Sequence, residues 1–326
     1  MKFFGCDFFN DMKSHVDEIH YDALGNIIAH KQGNRKRIMF VAHRDVVRLM
    51  VTHIDEDGFL YIKPSGGIDI MILQARKVII KHEDKYISGI IGKKPIHLIR
   101  EEQNTKVSYD DLWIDIGAAN KEDALKKVCL GDYVYFCTEY EELSDDIITA
   151  AYFDDYTGLH VLIMLAEELT KAPIPWDVYF VASNHEEIGM RGAFVAANSI
   201  KPDICICVDV THATDYPSIN SVSNGDIKLG KGCVLAKGPN IYCEIFNCLK
   251  ETAIKHKIDY QIEVSPYPTG TDANVIQLSG EGVKTGVISI PCRYMHTPNE
   301  ICSKRDIHST FELLNEFIHS NAINEL

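Results

Sequence analysis

The sequence predicts an α/β protein built around a mixed sheet, with a small all-β domain inserted into it. In the second half of the chain, short apolar runs such as "WDVYFVAS", "DICICVDV" and "GVISIP" alternate with helical patterns, one of them over residues 157–172. Runs that are apolar throughout are typical of strands covered by helices on both faces of a sheet. Between residues 56 and 138, short β-rich pieces instead alternate with Gly, Pro and Asp turns, a pattern typical of an all-β domain.

These two textures suggest where the chain divides. A length of 326 residues is more than one small core usually holds. We expect residues 1–55 and 139–326 to form one domain and residues 56–138 to form the inserted domain. Within the first domain, "KRIMFVAHRD" at 36–45 has the pattern of a buried strand, and residues 239–257 have that of an amphipathic helix.

Composition excludes several classes of partner. Aspartate and glutamate number 47 against 33 lysines and arginines, so the formal charge is -14, which argues against nucleic acid or an anionic membrane surface as the main partner. No run approaches the roughly 20 apolar residues that a membrane-spanning helix requires. No pair of the ten cysteines has the Cys-x-x-Cys spacing of a zinc ribbon or redox motif, and without a secretion signal they indicate reduced thiols and a cytoplasmic protein.

Potential metal ligands follow four of the predicted strands and precede one of the helices. They are His43 and Asp45, Asp154 and Asp155, Glu186 and Glu187, Asp209, and His296. Each has an ordinary explanation when taken singly, as a surface histidine, a turn or a helix cap. Ligand sites of open α/β sheets, however, gather at the carboxyl ends of the strands. Imidazoles and carboxylates without a thiolate suit a catalytic site for Zn²⁺, Co²⁺ or Mn²⁺.

The adjacent pair Glu186 and Glu187 needs a positive partner. Two neighbouring carboxylates at the end of a buried strand repel each other and are costly to desolvate. One of them would bind a metal, and its neighbour would take the proton of an activated water. Gly189 and Gly192 would allow the turn to re-aim one side chain. Together with a bridging aspartate, the set predicts two metals about 3.5–4 Å apart.

Segments along nearly the whole chain resemble one family of peptidases. They include "VAHRD", "FDDYTG", "NHEEIGMRGA", "VDVTHATD" and "ISIPCRYMHTPNE". In order and spacing they resemble the tetrahedral dinuclear-metal aminopeptidases, the glutamyl and deblocking aminopeptidases of clan MH, of which some are labelled cellulase or endoglucanase. The resemblance implies a zinc-peptidase-like catalytic domain, a PDZ-like dimerisation domain and a peptide substrate. It also implies two divalent metal ions per subunit, with zinc expected first and cobalt or manganese as alternatives, and a homo-oligomer of dimers that extends to a dodecamer.

The resemblance also implies roles for single residues. Asp154 would bridge the two metals. His43 and Asp209 would complete one metal site, and Glu187 and His296 the other. Glu186 would be the general base, and Asp45 would orient His43, since metal-bound imidazoles usually need such a partner.

Two segments depart from the family pattern. The chain has "HRDVVR" where the family has His-Met-Asp-Glu-x-Gly, and "DDY" where it has Asp-Asp-Arg. No ligand is lost, but these departures motivate an alternative, a weakly active or inactive family member with a role in assembly. A glycoside hydrolase is a second alternative, motivated by the labels, but that chemistry uses two carboxylates about 5–10 Å apart without a metal. Sensitivity to a chelator would separate it from a metallopeptidase.

Overall fold

The structure, a computed structural model, describes residues 7–98, 107–324 and 326. It forms two compact units. The first contains the residues up to Asp45, Tyr140–Met295 and Glu300–Leu326, and the second contains Val46–Glu139 and His296–Asn299. The domain division expected from the sequence, with boundaries at residues 56 and 138, stays a prediction.

Strands and helices are numbered here in chain order. The strands are β1 (Glu18–Tyr21), β2 (Ile27–Lys31), β3 (Arg37–His43), β4 (Arg48–Ile54), β5 (Leu60–Ser65), β6 (Lys77–His82), β7 (Lys85–Lys93), β8 (Leu112–Asp115), β9 (Tyr133–Phe136), β10 (Glu141–Glu142), β11 (Ile147–Ala150), β12 (Asp177–Ser183), β13 (Ile204–His212), β14 (Cys233–Lys237), β15 (Tyr260–Val264), β16 (Lys284–Cys292) and β17 (Glu300–Ser303). The α-helices are α1 (Phe8–Met12), α2 (Lys121–Leu125), α3 (Phe153–Glu168), α4 (Arg191–Ile200), α5 (Ser221–Asn224), α6 (Cys243–His256), α7 (Ala273–Ile276) and α8 (Lys304–His319).

An eight-stranded mixed sheet forms the centre of the first unit. Its strand order is β1-β2-β12-β3-β13-β16-β14-β15. The four middle strands, β12, β3, β13 and β16, run parallel, so their carboxyl ends lie at one edge. The register pairs Ser183 with His43 and places Asp209 opposite Ser289. The mixed α/β architecture predicted from the sequence is confirmed, and so is the shared edge of these strand ends.

Both faces of this sheet are covered, which explains why the middle strands are apolar over most of their length. Alternate side chains of a strand point to opposite faces. On β3, Ile38 and Phe40 belong to a core cluster that includes residues of α3 and α8, whereas Met39 and Val41 pack in a cluster with residues of α4. All four are fully buried. The polar ends of these strands are therefore the places where chemistry can be carried.

The helix positions differ from the sequence pattern by a few residues. The helix expected over residues 157–172 is α3, which begins earlier, at Phe153, although Asp154 and Asp155 have non-helical backbone angles. The helix expected over residues 239–257 is α6, which begins at Cys243 after a short turn. Among the described residues, no helix is both long and apolar enough to cross a membrane.

The second unit contains a closed six-stranded barrel. Its strand order is β4-β5-β8-β7-β6-β9, and its paired strands are antiparallel. Alternate residues such as Leu60 and Ile62 on β5, and Val78 and Ile80 on β6, are fully buried, as expected of a small barrel filled by its own side chains. Strands dominate this unit, as its Gly-, Pro- and Asp-punctuated sequence predicted, although it also contains the five-residue helix α2.

Candidate metal centre

Three of the predicted ligands meet at the carboxyl edge of the sheet. His43 is the last residue of β3, Asp209 lies on β13, and Asp154 lies at the start of α3. The His43 Nε2 atom is 2.8 Å from Asp154 Oδ1 and 3.8 Å from Asp209 Oδ1. One ligand atom from each residue lies within 4.8 Å of the other two, and all three side chains are buried. Such a cluster of nitrogen and oxygen donors is suited to one divalent cation.

Asp45 makes two kinds of contact at this site. Its backbone carbonyl oxygen lies 2.9 Å from His43 Nδ1, which leaves Nε2 as the atom that could bind a metal. Its carboxylate is farther from that ring, at 4.0 Å. The two carboxylate oxygens accept hydrogen bonds from the backbone N–H groups of Glu186, at 2.9 Å, and Glu187, at 3.2 Å. Asp45 therefore contacts both the predicted ligand His43 and the backbone of the glutamate pair.

Two further buried carboxylates hold the ligand-bearing backbone. Asp155 accepts hydrogen bonds from the backbone N–H groups of His43, at 3.1 Å, and Gly158, at 3.0 Å. Glu300, which is 1% exposed, accepts one from the backbone N–H of Asp154 at 3.0 Å. The sequence reasoning treated Asp155 as a candidate ligand and missed Glu300. The one feature of the sequence that could have pointed to Glu300 is its position at the end of the "ISIPCRYMHTPNE" segment, which also contains His296.

The glutamate pair lies in a tight turn between β12 and α4. Glu187 and Asp154 belong to one candidate group, with ligand atoms within 4.8 Å of each other. The backbone carbonyl of Glu186 accepts the N–H of Gly189 at 2.8 Å. Gly189 has φ +114°, and His185 also has a positive φ, of 66°. These left-handed residues break the alternation of an extended chain, so the two adjacent side chains can serve different purposes.

His296 belongs to the second unit. Its ring Nδ1 lies 2.8 Å from the backbone carbonyl oxygen of Gly67, in the same unit. That contact leaves Nε2 as the atom that could bind a metal. Its participation in the ligand set stays a prediction.

The imidazole of His43 is strongly biased toward the protonated form. Burial acts to lower its pKa, but the hydrogen bond and charge of Asp154 more than offset that effect. The charges of Glu186 and Asp209 act in the same direction. The pKa of His43 is therefore well above its ordinary value. The proton on this ring partly neutralises the surrounding carboxylates, and a bound metal ion would supply the same positive charge.

The positive charge near the buried carboxylates of the site is not enough to keep them ionised at their ordinary pKa. Burial raises the pKa of Asp209 to about 8; His43 opposes that rise, and the charge of Asp154 adds to it. Burial likewise raises the pKa of Glu186 to about 9, with the charge of Asp209 adding to the effect. Removing like-charged carboxylates from water costs free energy unless a cation compensates. The donor set and its electrostatics therefore fit a divalent cation.

The substitutions in "HRDVVR" and "DDY" are absorbed by packing and local bonds. Arg44 donates from Nη1 to the backbone carbonyl of Gly25 at 2.7 Å. In the second unit, Val46 and Val47 are buried, and the Arg48 guanidinium carbon lies 3.5 Å from the centre of the Tyr133 ring. Tyr156 packs, partly buried, against the core of the first unit. None of these residues replaces a predicted ligand.

Comparison with known proteins supports one family. A family model described as M42 glutamyl aminopeptidase matches residues 25–313. The lysyl aminopeptidase of Pyrococcus furiosus is 40% identical over 305 residues, which span 93% of this chain and 87% of the relative.

Two solved structures have the same fold over most of their length. An aminopeptidase from the archaeon Desulfurococcus kamchatkensis is 35% identical, with a TM-score of 0.88, and the match covers 95% of this chain and 87% of that one. The TET1 peptidase of Pyrococcus horikoshii, described as able to assemble into a tetrahedron or a large octahedral shell, is 30% identical. Its TM-score is 0.86, and the match covers 95% of this chain and 91% of that one. The chain therefore belongs to the M42 glutamyl aminopeptidase family and is a metal-dependent aminopeptidase, a hydrolase that acts on peptide bonds.

Proposed function

We propose that the enzyme holds two divalent metal ions and removes N-terminal residues from peptides. Asp154 would bridge the two ions, and His43 and Asp209 would complete the first site. The main observation that supports this proposal is the convergence of these three buried side chains, whose potential ligand atoms lie within 4.8 Å of one another. Zinc suits this nitrogen and oxygen set best, with cobalt or manganese as alternatives.

The family resemblance implies that Glu187 and His296 would complete the second site with Asp154; of these, Glu187 and Asp154 lie in the same unit and belong to one candidate ligand group. The His296 ring is oriented through Nδ1 by the Gly67 carbonyl, as the His43 ring is by the Asp45 carbonyl. Metal-bound histidines commonly use their second nitrogen in this way. The equivalent orientation of two histidines supports equivalent roles as ligands.

Glu186 would act as the general base. When bound, the metal ions would activate a water and polarise the scissile carbonyl. Glu186 would take the proton of that water and later give it to the leaving amine, as a general acid–base group does. Its backbone N–H is held by the Asp45 carboxylate, so the loop that carries the base has a fixed position beside the ligands.

We also propose that the enzyme is a cytoplasmic homo-oligomer, with dimers as the building block and a dodecamer as the full assembly. The barrel of the second unit would be the PDZ-like dimerisation domain. The assembly is supported by the shells described for the Pyrococcus horikoshii peptidase, and a reducing compartment by the nine described cysteines, which are all free thiols. Cys6 lies outside the described residues.

Metal dependence and peptide specificity can be tested together. The protein is chelated, and its activity on a panel of aminoacyl-anilides is measured before and after Zn²⁺, Co²⁺ or Mn²⁺ is added back. We expect the chelated protein to be inactive and at least one metal to restore turnover, because the ions supply the activated water. Full activity after chelation would contradict the proposal.

Glu186→Gln is the matched variant in this assay. It keeps the size of the side chain but cannot accept the proton, so kcat should fall by about 10²–10⁴-fold at unchanged metal content. Wild-type turnover in this variant would refute Glu186 as the base. A metal-loaded wild-type protein that cleaves no anilide or peptide would favour the inactive, assembling family member.

A further inference from the structure

One buried side chain holds both ends of the loop that carries the glutamate pair. We call residues 184–192 the glutamate loop. Asn26 is fully buried; its Oδ1 accepts the backbone N–H of Asn184 at 2.8 Å, and its Nδ2 donates to the backbone carbonyl of Gly192 at 2.9 Å. The loop is closed by a hydrogen bond from the Gly192 N–H to the Asn184 carbonyl, at 2.9 Å. Asn26 thus bridges the first and last residues of the loop.

The orientation of Asn26 is set within its own turn, residues 22–26. The Asp22 carboxylate accepts the backbone N–H groups of Leu24 and Asn26, at 2.9 and 3.0 Å, and the Asn26 Nδ2 atom at 2.6 Å. Gly25 has φ +79°, a conformation that glycine adopts without steric cost. Asp22 therefore determines which way the Asn26 amide points, so its oxygen faces one end of the glutamate loop and its nitrogen faces the other.

Two more bonds join the same turn to the site. The Asn184 side chain donates to the Leu24 carbonyl at 2.8 Å, and Arg44, the residue after the ligand His43, donates to the Gly25 carbonyl at 2.7 Å. The close approach also requires a glycine at the end of the loop. A Cβ atom on Gly192 would lie 2.2 Å from Asn26 Oδ1.

We infer that Asn26 is a positioning residue for Glu186 and Glu187. The inference rests on the proposed roles of these two glutamates as base and ligand. Asn26 holds both ends of the loop and the Asp45 carboxylate holds its middle, so the backbone that carries the two glutamates has little freedom to move. A displacement of about 1 Å can cost an enzyme on the order of 10²-fold in rate.

Asn26→Ala removes both bonds to the loop. We expect kcat, measured at saturating metal, to fall by about 10–100-fold, with a similar loss of affinity for Zn²⁺ in competition with a chelator, since such supporting residues typically have effects of this size. KM should stay within about twofold, because Asn26 is fully buried and its replacement should change only the placement of the reacting groups.

Two variants that replace the Asn26 amide, or exchange it with the Asp22 carboxylate, test the position of the Asn26 amide. Asn26→Asp places a carboxylate beside that of Asp22, and the two repel. The double variant Asp22→Asn with Asn26→Asp restores a donor–acceptor pair at these positions and keeps an acceptor for the Asn184 N–H, while the bond to Gly192 remains lost. We therefore expect kcat and Zn²⁺ affinity in the order wild type, double variant, Asn26→Asp.

Asp177→Ala is the matched control for general destabilisation. Asp177 lies at the opposite end of β12, where it contacts His30 at 2.7 Å and the backbone N–H of Gly33 at 3.1 Å. Its loss should lower the melting temperature while leaving kcat and Zn²⁺ affinity within about twofold, as expected for a contact remote from the site.

Three results would overturn the inference. The first is wild-type kcat and wild-type Zn²⁺ affinity in Asn26→Ala. The second is a loss of kcat and Zn²⁺ affinity in Asp177→Ala equal to the loss in Asn26→Ala, when the two variants have similar melting temperatures. The third applies if Asn26→Ala does not fold, and is wild-type kcat and Zn²⁺ affinity in the double variant. Glu186→Gln is measured in the same series. If it is inactive while Asn26→Ala is fully active, the positioning role alone fails; if it is fully active, the proposed base fails.

Discussion

At the scale of single residues, the metal-free site should make stability depend on pH. The pKa of Asp209 is raised to about 8 and that of Glu186 to about 9, mainly by burial, and the pKa of His43 is also raised. In all three cases the folded protein binds protons that the unfolded chain releases at a lower pH. Stability from these groups is therefore present at low pH and is lost as the pH rises through their folded pKa values.

The chelated protein should accordingly unfold more easily at about pH 8 than at about pH 5.5, a range that lies above the ordinary pKa of a carboxyl group. Thermal or urea unfolding across this range measures the slope. Saturating Zn²⁺ should reduce or reverse it, because the ions replace the protons and bind more tightly as the pH rises. Asp209→Asn removes one titrating group and should flatten the slope of the chelated protein. Stability that rises with pH in the absence of metal would contradict this account.

Asp45 is a residue for which the sequence predicted only part of the contacts that the structure shows. The family resemblance implied a role for Asp45 in orienting the His43 ring. The structure adds a contact that spacing could not indicate, since the Asp45 carboxylate bonds the backbone of Glu186 and Glu187, about 140 residues away in the chain. A side chain's type limits what it can bind, but its partner depends on which segments are brought beside it.

At the scale of elements, the start of α4 tolerates no side chain at its second residue. A Cβ atom on Gly192 would lie 2.1 Å from the Asn184 carbonyl oxygen and 2.2 Å from Asn26 Oδ1. Gly192→Ala should therefore force the glutamate loop away from the helix, at a cost of about 1–3 kcal/mol in the free energy of unfolding. The same displacement should lower kcat.

Gly270→Ala is the matched comparison. A Cβ atom at Gly270 meets no atom within 4 Å, so its stability should change by less than about 0.5 kcal/mol. Urea unfolding of both variants measures the free energy of unfolding, and kcat is measured on the anilide that the wild-type enzyme cleaves fastest. Equal stability of the two variants would show that the loop yields without cost.

Strands and helices differed in how well the sequence predicted them. The middle strands are largely apolar runs, and their pattern located β3, β12, β13 and β16. The start of α3 was expected at residue 157 and lies at Phe153. The residues between them include the predicted ligand Asp154, whose backbone N–H is bound by the Glu300 carboxylate. Local propensity could not reveal that start, because a contact with a distant strand determines the conformation there.

At the scale of the whole molecule, the surface of the first unit supports self-association. Several apolar side chains are largely exposed, among them Val222 at 93%, Tyr267 at 73% and Val264 at 70%. Val264 lies on β15, an edge strand of the large sheet. An exposed apolar side chain on an edge strand is a feature of surfaces that can bind another chain. A net charge of -14 opposes that association through repulsion between copies.

Light scattering at two salt concentrations tests both effects. We expect a mass that is a multiple of the chain mass, and a larger assembled fraction at about 0.5 M salt than at about 0.05 M, since added salt screens the repulsion. A monomer under both conditions would contradict the proposed oligomer without affecting the metal site.

The sequence by itself determined the kind of protein this is. Apolar runs that end in histidines and carboxylates predicted a mixed sheet with a metal site at one edge, because strand burial and ligand chemistry depend on residue type and local order. Only the tertiary structure decided how that site is held. Asn26 and Gly192 are 166 positions apart, and Asp154 and Glu300 are 146 apart. Hydrogen bonds between such distant segments follow no local pattern, since they depend on how the folded chain brings together backbone groups that every residue carries.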